Sequence, residues 1–115
     1  MQVDLSVNNL GPEGGKAVAD ALRVSGSLNS IDVGSNNIDE VAALELLAVM
    51  KEKAMVSIGM ASCSLGVEGA KVMAEMAAVS RSLTAADLRF NELNDDAKQL
   101  LRACVKGRVG FDLKL

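Results

Sequence analysis

The sequence predicts an α/β repeat solenoid, and two observations support that prediction. An eight-residue block occurs four times, and its second apolar residue falls at Leu5, Val33, Met60 and Leu88, in steps of 28, 27 and 28 residues. A fixed period of about 20 to 50 residues is typical of stacked repeats. In addition, each period first alternates and then changes to helical spacing. At 115 residues the chain is expected to form a single domain.

The first half of each period predicts a short strand. Ile31 and Val33 are apolar, whereas Asp32 and Gly34 between and after them are not. Alternation of this kind is typical of a strand that buries one face. The residues that follow each strand, such as Asn36, are expected to form a turn.

The second half of each period predicts a helix. Val18, Ala21 and Leu22 fall on one side of such a helix. Pro12 suits a first helical position, because its missing N–H costs nothing there, and Gly26 suits the stop. The predicted helices span about residues 12–25, 40–53, 67–80 and 95–106.

Stacking the periods places residues of one type in columns. Glycine or alanine is expected where a helix start lies close to the sheet, at Gly14, Ala42, Gly69 and Ala97. Apolar residues form the next columns, at Val18, Leu46, Met73 and Leu101, at Ala21, Val49, Met76 and Cys104, and at Leu22, Met50, Ala77 and Val105. Agreement across four separate stretches fixes the register of the helices.

The pattern L-x-x-L-x-L-x-x-N/C-x-L resembles the leucine-rich repeat, and it occurs here from Leu28, from Met55 and from Leu83. The segments 10–16 and 65–71, rich in glycine, resemble the ribonuclease-inhibitor-like subclass. The resemblance implies a right-handed superhelix with parallel strands on the concave face and helices on the convex face. About four repeats are expected, at 3–27, 28–54, 55–82 and 83–107, followed by a terminal strand at 109–113.

Composition and charge argue against several classes of protein. The net charge is −3 and the basic residues are scattered, so the sequence predicts no nucleic-acid binding. It contains neither a leader pattern nor an apolar run long enough to span a membrane, so no membrane association is expected. Cys63 and Cys104 fall in different columns and are not expected to pair, which favours an intracellular and cytoplasmic location.

No candidate catalytic group withstands inspection, so the protein is predicted not to be an enzyme. The chain lacks histidine, and therefore the usual base for a cysteine or serine nucleophile. The glycines near residue 14 do not form a phosphate loop, because Leu10 and Ala17 stand where glycine and Ser/Thr are required. No cofactor or metal is expected. The column Asn8, Asn36, Cys63 and Asn91 is expected to pair backbone groups of the turns.

The strand face that points away from the core is the candidate binding surface. Its central column was expected to contain Asp4, Asp32, Gly59, Asp87 and Asp112, with Asp87 beside Asp112. One interpretation is that these aspartates are simply solvated. The other is a surface for a protein or peptide partner with basic groups, in which arginine and aromatic side chains contribute. The predicted partner-binding residues are Asp4, Asp32, Asp87, Arg89, Phe90 and Asp112.

Two alternatives stay open at this stage. Val3 already lies in the first strand, which would leave an unpaired edge, so the chain could self-associate as a homo-oligomer through this N-terminal strand edge. Fold analogy alone suggests a module that regulates small GTPases.

Overall fold

The computed structural model describes residues 2–115, in which five strands alternate with four helices. The elements are β1 (Gln2–Asp4), α1 (Gly11–Val24), β2 (Ser30–Asp32), α2 (Glu40–Lys51), β3 (Ser57–Gly59), α3 (Gly66–Val79), β4 (Ala85–Asp87), α4 (Asp95–Val105) and β5 (Asp112–Lys114). The four predicted helices are all present, and their ends differ from the predicted ones by at most two residues.

The strands form one parallel sheet in the order β1-β2-β3-β4-β5. Each helix therefore connects a strand to its neighbour, which is the arrangement of a leucine-rich-repeat solenoid, and the predicted fold class is confirmed. One apolar residue of each strand lies in register with the next, at Val3, Ile31, Ile58, Ala86 and Leu113. This row faces the helices and forms the floor of the core.

The expected register of the last strand is wrong by two residues. Asp112 was expected beside Asp87, but Asp112 pairs with Ala85, and Lys114 lies opposite Asp87. The cause is the turn before β5, in which Gly107 and Gly110 have φ values of +87° and +84° and use up extra residues. Because the displacement is two residues, the Asp112 side chain stays on the strand face.

The core lies between the sheet and the helices and is aliphatic and sulfur-rich. Its largest fully buried side chains come mainly from the two middle repeats and include Leu46, Leu47, Met50, Met60 and Met73. Repeat 1 is less covered, because Val18 is only half-buried and Ala21 is exposed, whereas their column neighbours in α2 are buried. A second column between adjacent helices, formed by Gly15, Ala43 and Ala70, was not anticipated.

The helices start in two alternating ways. In α2 and α4 the side chains of Asp39 and Asn94 cap the helix, accepting hydrogen bonds from Ala42 N at 2.9 Å and Ala97 N at 2.8 Å. In α1 and α3 the helix follows a leucine instead, and its first residue is a glycine with positive φ. Repeats 1 and 3 are thus of one kind and repeats 2 and 4 of another, with equivalent residues 55 positions apart.

Candidate functional site on the strand face

The outward side chains of the five strands form two parallel columns along a shallow groove of about 210 Å³. The central column contains Asp4, Asp32, Gly59, Asp87 and Lys114 in register. The neighbouring column contains Gln2, Ser30, Ser57, Ala85 and Asp112. Adjacent strands lie about 4.8 Å apart, so residues in each column are direct neighbours.

Each aspartate of the central column closes a turn at the end of its strand. Oδ1 of Asp4 accepts hydrogen bonds from Ser6 N at 3.0 Å and from Ser6 Oγ at 2.6 Å. Asp32 accepts from Gly34 N at 2.9 Å. The hydrogen bonds from the Ser6 hydroxyl and backbone N–H lower the pKa of Asp4, so this carboxyl group is ionised at neutral pH.

The Asp32 carboxylate lies across Gly59 on the next strand. A Cβ atom at position 59 would stand only 2.6 Å from Asp32 Cγ, so any larger residue there would displace this side chain. The centre of the face, expected to be flat and lined by small residues, is therefore covered by a carboxylate. This arrangement depends on glycine at position 59, and the sequence pattern gave no indication of it.

At β4 the negative charge is compensated. The Arg89 guanidinium donates from Nε to Asp87 Oδ1 at 2.9 Å and from Nη2 to Asp87 Oδ2 at 2.8 Å, which is a bidentate pair. These side-chain hydrogen bonds are the main reason that the pKa of Asp87 is lowered and that of Arg89 is raised. The positive charge of Lys114 lowers the pKa of Asp87 further. The uncompensated acidity of the column therefore lies at Asp4 and Asp32.

Phe90 stands beside this column but belongs to the turn after β4. It has a positive φ of 60° and its side chain is 78% exposed. Residues without a glycine rarely adopt this backbone conformation, yet the same conformation recurs at Val7, Ser35 and Ser62, the equivalent turn positions. The repeat therefore dictates the turn, and the turn projects the Phe90 ring into solvent.

The predicted site residues are thus only partly brought together. Asp4, Asp32 and Asp87 share one column, with Arg89 bound to Asp87. Asp112 lies one column away, and Phe90 lies beyond the strand end. Lys114 was missed as a central-column residue. Counting back from the two glycines of the last turn was the only available signal for its position.

The asparagine column is internal and holds the turns together. Asn36 and Asn91 are almost completely buried, and Cys63 occupies the same column between them. Burial is the main reason that the pKa of the Cys63 thiol rises to about 12, so the nucleophilic thiolate is negligible at neutral pH. Within residues 2–115, no cluster of three or more His, Cys, Asp or Glu residues is placed to hold a metal ion. No helix in this range has the length and apolarity required to cross a bilayer.

Comparisons with known proteins agree with this architecture. A family model described as Leucine Rich repeat matches residues 1–19. Over 94 residues, or 81% of the chain, the sequence is 28% identical to the mouse (Mus musculus) NACHT, LRR and PYD domains-containing protein 4E. The chain spans only 10% of the length of that relative. In sequence and in the arrangement of its elements, the chain is therefore similar to leucine-rich repeat proteins.

Proposed function

We propose that this chain is a non-enzymatic protein-interaction module whose strand face holds a protein or peptide partner with basic groups. Leucine-rich repeat domains generally mediate protein–protein interaction, and stacked repeats bind through their extended sheet surface. The observation that supports a basic partner is the pair of uncompensated carboxylates, Asp4 and Asp32, on adjacent strands.

The proposed surface has two chemically different ends. Asp4 and Asp32 form the acidic end, and Phe90 forms the apolar end beyond the Asp87–Arg89 pair. Three strand spacings separate β1 from β4, which is about 14 Å, or roughly four residues of an extended chain. We therefore propose a partner segment that places Lys or Arg over Asp4 and Asp32 and an apolar side chain against Phe90.

The chemistry of the chain supports a binding role over a catalytic one. It contains no histidine, and the buried Cys63 thiol has a raised pKa. Two further assignments belong to this proposal. The helices of 14 residues in α1 and α3 favour the ribonuclease-inhibitor-like subclass, and the free thiols of Cys63 and Cys104 favour an intracellular location.

A displayed library of random peptides, selected on the native chain, tests the proposed function. We expect the selected peptides to be enriched in Lys and Arg. Asp4→Asn with Asp32→Asn should weaken their binding about three- to tenfold, because each exposed charge pair contributes about 0.2–1 kcal/mol. Asparagine can still accept the turn hydrogen bond, so the strand ends are preserved.

The matched control removes two charges from the helix side, by Glu13→Gln and Glu40→Gln, which are exposed. This variant should bind the selected peptides as the native chain does. Equal affinity of the native chain and the Asp4/Asp32 variant, or no enrichment of basic residues, would contradict the proposal.

Self-association through the open edge of β1 is the second candidate function. β1 is an end strand of the sheet, so the backbone groups on its outer side have no neighbouring strand within residues 2–115. Light scattering over a concentration series tests this candidate. A mass that rises with concentration supports it, and a constant monomer mass argues against it.

A further inference from the structure

The N-terminal face of the solenoid, formed by β1 and the outer side of α1, is apolar although it is open. The exposed parts of this face are equivalent to positions that are buried in every later repeat. Val3 and Leu5 are partly exposed, whereas their strand neighbours Ile31 and Val33 are 3% and 0% exposed. On the helix, Val24 is 86% exposed. The face thus continues the interface by which the repeats stack on one another.

The contact of α2 with α3 is the closest template for this face, because α3 and α1 are of the same kind. Met73 and Met76 of α3 face α2 and are buried, and the equivalent residues of α1, 55 positions earlier, are Val18 and Ala21. Both pairs are apolar. The smaller side chains of α1 leave room for the neighbouring helix to approach closely.

A polar group on the same face repeats the hydrogen bonding of the buried column. Asn36 Oδ1 accepts from the backbone N of Asn8 at 2.6 Å, and Asn36 Nδ2 donates to Leu5 O at 2.8 Å, so its amide holds the turn of the preceding repeat. Asn91 bonds the turn of repeat 3 in the same way. Asn8 carries the same amide, and within residues 2–115 it makes only the contacts inside its own repeat, to Leu5 O and Ser6 O.

Charge supports the same orientation. Lys51 Nζ of α2 pairs with Glu75 Oε2 of α3 at 2.9 Å across the helix–helix contact. Asp20 of α1 is the equivalent of Glu75 and is exposed. A repeat that stacked on α1 as α2 stacks on α3 would therefore bring its basic residue to Asp20.

The opposite end of the molecule does not supply this partner. α4 is of the same kind as α2, but Lys98 and Arg102 replace the buried Ala43 and Leu47 at the positions that contact the next helix. A second copy stacked head to tail would place both cations in an apolar contact without a partner, which is unfavourable. The occupant must carry small apolar residues at these two positions.

We infer that the N-terminal face is a docking surface for a further leucine-rich repeat unit of the kind seen at residues 28–54, and not for the C-terminal end of a second copy. The unit would add a parallel strand to β1, place a helix on Val18 and Ala21, and offer its turn to the Asn8 amide. This inference does not depend on a partner at the strand face.

A tandem variant tests the inference. A copy of residues 28–55 placed directly before Met1 preserves the repeat register, since Met55 is equivalent to the position before Met1. We expect one unfolding transition with a higher urea midpoint than the native chain. Its m-value should rise by about a quarter, because 28 residues are added to 115.

The control carries Ala43→Lys and Leu47→Arg in the added copy only, which reproduces the charges of α4. It should lose most of the gain in midpoint. Asn8→Ala should lower the midpoint of the tandem chain by more than that of the native chain. An unchanged midpoint, a separate transition for the added repeat, or equal gains with the charged copy would overturn the inference.

Light scattering tests the competing occupant, a second copy. We expect the tandem chain to keep its monomer mass at all concentrations. A native chain that forms a stable dimer, and whose dimer is unaffected when the added repeat covers the face, would contradict the assignment of this face to a repeat.

Discussion

At the scale of single residues, two buried amides connect three of the turns to their neighbours. Asn91 Oδ1 accepts from Cys63 N at 2.8 Å, and its Nδ2 donates to Met60 O at 2.8 Å and to Leu88 O at 2.9 Å. Asn36 makes the same set of bonds to the turn of repeat 1, which is more exposed to water. The same amide therefore satisfies backbone groups that differ in their access to solvent.

Asn91→Ala should lower the free energy of unfolding by about 3 kcal/mol, since it leaves several buried backbone groups unpaired. Asn36→Ala should cost less, about 2 kcal/mol, because water can reach the turn of repeat 1. Urea denaturation of the two variants measures both values. Equal, small losses would mean that the amides do not hold the turns.

Cys63 gives the fold a pH dependence at its alkaline limit. Its thiol has a pKa of about 12 in the folded chain and of 9.0 ordinarily, so the unfolded state loses its proton first. The contribution to stability is complete below pH 9.0 and decreases as the pH rises towards 12, with a slope of at most about 1.4 kcal/mol per pH unit.

The measurement is the difference in unfolding free energy between the native chain and Cys63→Ala, recorded from pH 8 to pH 11. We expect this difference to be constant near pH 8 and to shrink above pH 9.0. A difference independent of pH over this range would show that the thiol is not protected by burial.

At the scale of the elements, the two kinds of helix start explain why glycine alternates with alanine at one position. In α3, Leu65 is helical and lies close to Gly69, where an added Cβ would be 2.7 Å from Leu65 Cβ. In α2 the capping residue Asp39 is extended instead, and alanine fits at position 42. The departure of repeat 2 from the glycine-rich pattern is therefore a second, complete solution to starting a helix.

Gly69→Ala should destabilise the protein by about 1–3 kcal/mol, although alanine normally favours a helix, because Leu65 is buried and cannot move away. Gly26→Ala is the matched control, since no atom lies within 4 Å of a Cβ added there, and its effect should stay within about 0.5 kcal/mol. Thermal unfolding compares the two. Stabilisation by Gly69→Ala would contradict the steric explanation.

At the scale of the whole molecule, the repeat period determines most of what could be predicted. The spacing of Leu5, Val33, Met60 and Leu88 was sufficient for the strand order and for all four helices, because each unit repeats the same buried positions. The last strand departs from the period. Its register depends on how many residues the turn with Gly107 and Gly110 consumes, which hydrophobic spacing does not encode.

The candidate site shows the same division. Placing Asp4, Asp32 and Asp87 in one column followed from the repeat. The distribution of charge did not, because it depends on side-chain conformations: Asp32 lies over Gly59, and Arg89 folds back onto Asp87. The acidic end of the face became evident only from these contacts.

The most direct test of the strand-face proposal is an amide chemical-shift footprint of a selected basic peptide on the isotopically labelled chain. We predict that the perturbed amides cluster at the ends of β1 to β4 and around Phe90, and that Asp4→Asn with Asp32→Asn removes the β1 and β2 part of the footprint. Perturbations confined to helices α1 to α4, or unchanged by that variant, would contradict the account.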